Sequence, residues 1–222
     1  LSPYACEAIY DKLMAMTPTN LVAQCIAGIR KDQIEVEAPN SLAAMVALDY
    51  PYYTDPMPNL YFTRDPGACI GDGISVNRMK TDARKRESLL LKYMYNHNDR
   101  LFPKNTNLWY THEGPDNIEG GDILVLSREV VAVGLSLRTS AEAISCLAEN
   151  ILGADNSFKK VIVFRIPVKR AFMHLDTVFT MVDYDKFTIH PEIEGPLDLY
   201  EITLCRWDTR DFIHYRRPGG SP

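Results

Sequence analysis

The sequence predicts an α/β protein built from repeated units, each consisting of a β-hairpin, a helix and a closing strand. An acidic residue stands at the entrance to a hairpin pattern at three places, namely Asp65, Asp122 and Asp176. The two intervals between these acids are nearly equal, at 57 and 54 residues. A helical pattern and a further apolar strand pattern follow each of the first two hairpins. Self-similarity at a fixed period is typical of repeat architectures, in which successive units pack side by side.

The first unit is expected to begin with a short apolar strand over residues 60–63. Pro66 disfavours a helical conformation at the residue before it, so the carboxylate of Asp65 is expected in an extended segment at the strand end. Residues 68–76 then predict a hairpin, because two short apolar runs flank a turn rich in glycine.

The helix of the first unit is predicted over residues 80–97, and its closing strand over residues 108–110. The apolar side of this helix would consist of Leu89, Leu90, Tyr93 and Met94. The basic run at residues 84–86 is interpreted as a solvated helix face, since three charges in a row rarely mark a nucleic-acid surface by themselves.

The second unit repeats the same order. Strands are predicted over residues 123–126 and 130–133, and the closing strand over residues 161–164. Thr139 and Glu142, three residues apart, predict a capping box at the start of the intervening helix. The buried stripe of that helix would consist of Ile144, Leu147, Ala148 and Ile151.

The regions on either side of these units differ in pattern. A third hairpin is predicted over residues 178–190. Residues 1–31 are helical in pattern, and Thr17 followed by Pro18 supplies an N-cap with a proline at the first helical position. Residues 32–54 show little periodicity and are interpreted as a connecting segment.

Composition excludes several classes of function. The chain has 222 residues, 46% of them hydrophobic and 24% charged, which is ordinary for a soluble globular protein. The net charge of −5 gives no sign of a surface for nucleic acid or anionic membranes. No apolar stretch is long enough to span a bilayer, and no signal-peptide pattern is present at the N-terminus.

The five cysteines are odd in number and scattered, and they form no CxxC pair. This pattern predicts neither a disulfide framework nor a zinc site, and it favours a reducing compartment. They are Cys6, Cys25, Cys69, Cys146 and Cys205.

The repeat itself suggests a site. If the units pack around an axis, equivalent positions converge, and the acids at the hairpin entrances face one central pocket. Several carboxylates and a histidine in one pocket suit a cationic substrate, because ion pairing offsets the cost of taking a charge out of water. Spacing alone leads no further.

Four segments of the chain carry recognisable motifs: MPNLYFTRDP at residues 57–66, IEGGD at 118–122, GLSLRT at 134–139 and MHLDT at 173–177. Together, and in this order, they resemble the signature motifs of the arginine deiminase family. The resemblance implies the pentein α/β-propeller fold, which has five-fold symmetry, and hydrolysis of L-arginine to L-citrulline and ammonia. The helical N-terminal stretch would then be the end of a helical insertion domain.

The resemblance also implies roles for four catalytic residues. Asp65 and Asp176 would clamp the substrate guanidinium with paired, charge-assisted hydrogen bonds. His174 would be the general acid and base, which protonates the leaving ammonia and then activates water. Glu119 would orient and polarise this histidine and contact the guanidinium.

Further residues of these motifs are expected to bind substrate or to support the site. Phe62 would lie against the guanidinium or the methylene groups of the substrate, and Arg138 would pair with its carboxylate. Arg64 is expected to pair with a neighbouring acid in a structural role. For Asp122 the sequence leaves two roles open, as a member of the site or as a structural residue that holds the Gly-Gly turn.

The sequence departs from the family pattern at its nucleophile. The family uses a cysteine in a Cys-Met-Ser-Met-Pro-like context in its last repeat, and no such motif is present here. The chain is therefore interpreted as an internal fragment with about two and a half repeats, which lacks the first repeat and the cysteine repeat. Three regions follow: residues 1–52 as the end of the helical domain and a connector, residues 53–195 as a partial propeller, and residues 196–222 as a tail without a recognisable pattern.

Other functions remain open at this point. Another guanidine-modifying pentein, such as an agmatine deiminase, a dimethylarginine dimethylaminohydrolase or an amidinotransferase, is the enzymatic alternative. A pentein that binds arginine or a partner without chemistry is the alternative from a different class. The expected setting is cytoplasmic, with L-arginine as substrate, with no cofactor, metal, nucleic acid or membrane, and with the question of a homo-oligomer open.

Overall fold

The computed structural model describes residues 3–34, 42, 50–193, 197–207 and 210–218. Most of the predicted connecting segment, the predicted boundary between residues 195 and 196, and the last four residues lie outside these ranges. The chain divides into two compact units, Leu1–Tyr61 and Phe62–Pro222. The three regions proposed from the sequence therefore stay predictions.

The first unit contains two helices and a two-stranded sheet. Helix α1 spans Pro3–Met14 and α2 spans Pro18–Ala27. The predicted start of α2 is confirmed, because Thr17 is the N-cap and its side chain accepts a hydrogen bond from the backbone N–H of Asn20 at 3.4 Å. Strand β1, Ile29–Arg30, pairs in antiparallel fashion with β2, Tyr52–Thr54.

The strand predicted over residues 60–63 is wrong. The backbone N–H of Leu60 donates to the carbonyl of Met57 at 3.3 Å, which closes a turn. Pro58 stands at the second position of this turn, where its fixed φ favours the turn over an extended strand. Asp65 likewise lies in a turn, two residues before the next strand, and not at the end of a strand.

The first repeat of the second unit has the predicted order. Strands β3, Gly67–Ile70, and β4, Gly73–Val76, form an antiparallel hairpin, and helix α3, Glu87–His97, leads to strand β5, Asn107–Tyr110, which is parallel to β4. Gly71 in the two-residue turn has a φ of +59°, a conformation that glycine adopts without steric cost.

Helix α3 differs from its prediction in its start and in its buried side. It begins at Glu87, after a separate single turn at Asp82–Arg84. Leu89, Tyr93 and Met94, which were predicted as its apolar side, are exposed. Glu87 and Ser88 are buried instead, because Glu87 binds the guanidinium of Arg84 inside the unit.

The next repeat has the same topology. Strands β6, Ile123–Val125, and β7, Val130–Leu135, are antiparallel, and helix α4, Ala141–Leu152, leads to β8, Lys160–Arg165, which is parallel to β7. The predicted buried stripe is confirmed, since Ile144, Leu147, Ala148 and Ile151 are at most 2% exposed. These side chains form the larger apolar core together with β7 and β8.

The cap of helix α4 lies one residue later than predicted. Ser140 is the N-cap, and its hydroxyl accepts from the backbone N–H of Ala143 at 3.2 Å. Thr139 is fully buried, and its hydroxyl donates to Asp122 at 2.6 Å. The predicted capping box with Glu142 is therefore wrong, because a buried carboxylate uses the threonine hydroxyl.

Two further hairpins complete the second unit. Strands β9, Phe179–Asp183, and β10, Lys186–Ile189, form the predicted third hairpin. Strand β11, Asp198–Trp207, pairs with β8 and with β12, Arg210–Arg216, which extends the central sheet in the order β12-β11-β8-β7-β6. Among the described residues, none of the helices has the length and apolar character that crossing a bilayer requires.

Candidate active site

Glu119 lies at the centre of a buried polar cluster, immediately before the short turn Gly120–Asp122 that leads into β6. Its side chain is completely buried. One carboxylate oxygen, Oε1, accepts from the backbone N–H of Lys80 at 2.9 Å, and the other, Oε2, lies 2.7 Å from Nε2 of His174. Because an ionised carboxylate only accepts, the proton of this bond sits on the imidazole.

The glycines after Glu119 allow the histidine to approach this closely. A Cβ on Gly121 would lie 2.7 Å from Cγ of His174, and one on Gly120 would lie 2.1 Å from the carbonyl oxygen of Arg64. The Gly-Gly pair is therefore a packing requirement of the site, since any side chain there would collide with the histidine or with the turn that carries Asp65.

Asp65 joins the cluster from the turn before β3. Its Oδ1 lies 3.9 Å from Nδ1 of His174, and its Oδ2 accepts from Nη1 of Arg84 at 2.7 Å. Arg84 in turn forms a two-pronged contact with Glu87, in which Nη2 and Oε2 are 2.8 Å apart. All four side chains of this network are buried.

Arg84 belongs to this buried network, although no sequence pattern had placed it there. The basic run at residues 84–86 was interpreted as a solvated face, and for Arg84 this is wrong, because its residue is only 7% exposed. The sequence held one usable signal, since Glu87 follows Arg84 at the spacing that allows an ion pair within one helical turn.

Asp176 lies at the more open side of the cluster, two residues after His174. Its Oδ2 is 2.9 Å from Nε of Arg64, so Arg64 has the acidic partner that was predicted for it. The side chain of Arg64 is 52% exposed and that of Asp176 is 24% exposed. This ion pair is therefore far more accessible to water than the pair of Asp65 with Arg84.

Arg138 and Phe62 border the cluster in different ways. Nη1 of Arg138 lies 3.5 Å from Oε1 of Glu119, and its Nη2 lies 3.9 Å from the sulfur of Met173. Phe62 is 47% exposed, and its ring centroid is 5.9 Å from the guanidinium carbon of Arg84. Both side chains are thus within reach of a molecule that contacts Asp65 or Glu119.

The two central groups have pKa values displaced in opposite directions. Burial disfavours the imidazolium of His174, but the hydrogen bond to Glu119 and the charges of Asp122 and Asp65 outweigh it and raise the pKa of His174. Burial likewise disfavours the carboxylate of Glu119, but hydrogen bonds from His174 and Lys80 outweigh it and lower the pKa of Glu119. Both displacements favour the imidazolium of His174 and the carboxylate of Glu119.

The other acids of the cluster respond mainly to burial. Burial raises the pKa of Asp176, against the opposing charge of Arg64. It also raises the pKa of Asp122 to about 6, against hydrogen bonds from Ser136 and Thr139. A cluster of several acids and one histidine with displaced pKa values is typical of a catalytic site.

One group of residues could offer ligands to a metal ion. Single atoms of Asp65, Glu119 and His174 lie within 4.8 Å of one another. However, the guanidinium groups of Arg84 and Arg138 contact two of these three residues, and their positive charges disfavour a divalent cation there. That the site needs no metal stays a prediction.

The structure thus brings together Asp65, Glu119 and His174, and it places Asp176, Arg138 and Phe62 around them. Asp122 is the exception among the three acids at the hairpin entrances, because its carboxylate is fully buried beneath the cluster. It accepts three hydrogen bonds from Ser136, Thr139 and Leu175. The structural role that was left open for this residue agrees with these contacts.

Comparison with known proteins gives a consistent picture. A family model described as arginine deiminase matches residues 4–215. An arginine deiminase of Bacillus cereus (strain B4264) is 47% identical over 190 residues, which cover 86% of this chain and 46% of the relative. An arginine deiminase of Clostridium perfringens is 51% identical over 185 residues, 83% of this chain and 45% of the relative. The chain therefore spans about half the length of the curated relatives that it matches.

Solved structures show the same fold at much lower identity. A mutant DDAH from Pseudomonas aeruginosa complexed with citrulline has a TM-score of 0.50 at 20% identity, over 63% of this chain and 50% of that chain. The structure of a mutant of AgrE in complex with L-arginine has a TM-score of 0.51 at 20% identity, over 69% of this chain and 21% of that chain. These likenesses indicate the pentein fold and say nothing by themselves about the reaction.

Proposed function

Because the chain belongs to the arginine deiminase family, we propose that it forms the acid- and histidine-bearing part of an enzyme that hydrolyses L-arginine to L-citrulline and ammonia. The observation that carries the proposal is the buried 2.7 Å contact between Glu119 and His174, with Asp65 beside it. This arrangement holds a protonated imidazole next to carboxylates that would attract a guanidinium.

The proposed roles follow from the charges of the site. Asp65 and Asp176 bind the two sides of the substrate guanidinium, and Asp176 exchanges its partner Arg64 for the substrate. His174 protonates the departing ammonia and afterwards takes a proton from the water that attacks the same carbon. Glu119 keeps the imidazole in place, Phe62 covers the flat guanidinium, and Arg138 pairs with the substrate carboxylate.

We further propose that the nucleophile comes from residues outside these 222. The thiolate of a cysteine attacks the guanidinium carbon, ammonia leaves with a proton from His174, and water then releases citrulline from the covalent intermediate. Neither Cys69 nor Cys205 stands in the sequence context that the family uses. The setting is proposed to be cytoplasmic, and no cofactor is required.

Titration calorimetry of the purified chain with L-arginine tests the binding part of this proposal. We expect binding that is weakened in Asp65→Asn and unchanged in Asp72→Asn, an exposed acid of the first hairpin turn. Equal affinity in both variants would remove Asp65 from the site.

A pentein that binds arginine without chemistry is the second candidate, because the expected cysteine motif is missing from the sequence. Restoring the missing regions from a close relative separates the two candidates. Citrulline release by the restored protein favours the enzyme, and tight arginine binding without release favours the binding protein.

A further inference from the structure

Asp122 is a buried carboxylate to which the proposed reaction gives no chemical step. Its residue is completely shielded from water and lies in the turn immediately before β6. A Cβ on the neighbouring Gly134 would lie 2.3 Å from its Oδ1, so β7 leaves just enough room for the acid. Burying a carboxylate this deeply is costly unless its hydrogen bonds are satisfied.

Three hydrogen bonds satisfy it, and they come from two separate segments of the chain. Oδ2 accepts from the hydroxyls of Ser136 at 2.7 Å and Thr139 at 2.6 Å. Oδ1 accepts from the backbone N–H of Leu175 at 2.8 Å. Ser136 and Thr139 lie on either side of Arg138, and Leu175 lies between His174 and Asp176. Each donor is thus a chain neighbour of a residue assigned to the site.

The hydroxyl groups are oriented for an acceptor at this position. The oxygen of Ser136 accepts from the backbone N–H groups of Arg138 at 2.9 Å and Thr139 at 3.2 Å. The oxygen of Thr139 accepts from the backbone N–H of Glu119 at 3.2 Å. Because each hydroxyl has a single proton, that proton is left to point at Asp122. An ionised carboxylate fits this set of donors, and an amide would place two N–H donors against them.

We propose that Asp122 is a positioning residue, whose carboxylate holds the turn that carries Arg138 and the turn that carries His174 at a set distance from Glu119. Arg138 and the acids beside His174 are then placed to suit a substrate with a carboxylate at one end and a guanidinium at the other. This last step rests on the proposed function, and the placement of the two turns does not. Burial raises the pKa of Asp122 to about 6, so the ionised form that this role requires prevails at neutral pH.

Binding of L-arginine is compared with binding of agmatine, which lacks the carboxylate, in the 222-residue chain. The variants are Asp122→Asn, Thr139→Val and Thr139→Ser. Thr139→Val keeps the shape but removes both the donor to Asp122 and the acceptor for the backbone N–H of Glu119, and Thr139→Ser keeps both. We expect Asp122→Asn and Thr139→Val to weaken arginine binding by about tenfold. In Thr139→Val, which alters the turn of Arg138, agmatine binding should stay within about twofold of that of the unmodified chain. Asp122→Asn also releases the turn of His174 and Asp176 and should weaken binding of both ligands. Thr139→Ser should bind arginine normally.

NMR spectroscopy of the same variants reports on the positions of the two turns, those of Arg138 and His174, in the absence of a ligand. We expect the imidazole resonances of His174 and the Nε–Hε resonance of Arg138 to shift in Asp122→Asn and in Thr139→Val. Both sets should stay in place in Thr139→Ser and in Asp72→Asn, the matched exposed acid. If the unmodified chain binds neither ligand, the proposed function fails while these shifts still test the positioning role.

Several results would overturn the inference. Unshifted Arg138 resonances in Asp122→Asn would show that the carboxylate does not hold that turn. Equal losses for arginine and agmatine in Thr139→Val, or a Thr139→Ser chain as impaired as Thr139→Val, would show that the threonine donor acts through stability alone. If neither Asp122→Asn nor Thr139→Val folded, Asp122 would be assigned to folding and not to the site.

Discussion

At the scale of single residues, the pair of Glu119 and His174 makes the sharpest prediction. Replacing Glu119 with glutamine removes the negative charge that favours the imidazolium and leaves at most a neutral amide acceptor, so that burial counts for more at the imidazole. We expect the pKa of His174, measured by NMR titration, to lie above 6.5 in the unmodified chain and to fall in Glu119→Gln. Glu113→Gln, at an exposed glutamate, is the matched control. An identical titration in all three chains would contradict the pairing.

The same pair sets a range of pH in which it stabilises the fold. The raised pKa of His174 contributes stability that is fully present below 6.5 and is lost as the pH rises through the folded-state pKa. The lowered pKa of Glu119 contributes stability that is present above 4.5 and is lost as the pH falls through its folded-state pKa. The contribution of the pair to the free energy of unfolding is therefore greatest between these two limits.

Arg138 makes a prediction about specificity. Its side chain is 23% exposed and lies at the edge of the cluster, beside Glu119. In a protein restored to the length of its relatives, Arg138→Ala should lower kcat/KM for arginine. The loss should correspond to about 2–5 kcal/mol of transition-state stabilisation, because under the proposed function the substrate carboxylate loses its partner. Agmatine should be affected far less. Equal losses for the two substrates would make Arg138 a structural residue.

At the scale of elements, the backbone of the short turn at Gly120–Asp122 packs directly against residues of the site. Gly121→Ala would force a Cβ against the ring of His174, and such overpacking typically costs about 1–3 kcal/mol. Urea unfolding should show this loss in the free energy of unfolding. Gly114→Ala is the control, because the nearest atom to its added Cβ would be the hydroxyl of Tyr110 at 3.6 Å. Similar stabilities for the two variants would show that the turn relaxes freely.

At the scale of the whole molecule, we expect the 222-residue chain not to release citrulline from arginine. A guanidinium is stabilised by resonance, so binding by Asp65 and Asp176 cannot replace a nucleophile. Cys69 is exposed in β3, where it lines a cleft of about 480 Å³ between β3, β6 and β9, and it pairs across the hairpin with Ile74. Such a position on a paired strand differs from that of the acids, which lie in the turns before the strands.

Assay of the purified chain for citrulline, with Cys69→Ser and Cys205→Ser beside it, checks this expectation. No release is expected from any of the three chains. Substantial release that either substitution abolished would assign the nucleophile to that cysteine and would overturn the proposal that it comes from other residues.

Much of the local structure could be predicted because it depends on local patterns. The hairpins at β3–β4 and β9–β10, the buried stripe of α4 and the N-cap at Thr17 all follow from periodicity and turn chemistry over a few residues. Where prediction failed, a neighbour in space decided the outcome. Thr139 has the residue type of an N-cap, but the buried acid Asp122 takes its hydroxyl, and Ser140 caps the helix in its place.

By itself, the sequence determined the repeated order of hairpin, helix and strand, the family, and the motifs that carry Asp65, Glu119 and His174. Only the tertiary structure decided which of the acids meet, because equal spacing along the chain does not specify the direction of a side chain. Asp122 has the same place in its repeat as Asp65, yet it lies beneath the cluster and Glu119 lies at its centre. Arg84 is buried for the same kind of reason: it bonds both to Asp65, in the turn before β3, and to Glu87, at the start of α3, and only the fold brings these two acids together.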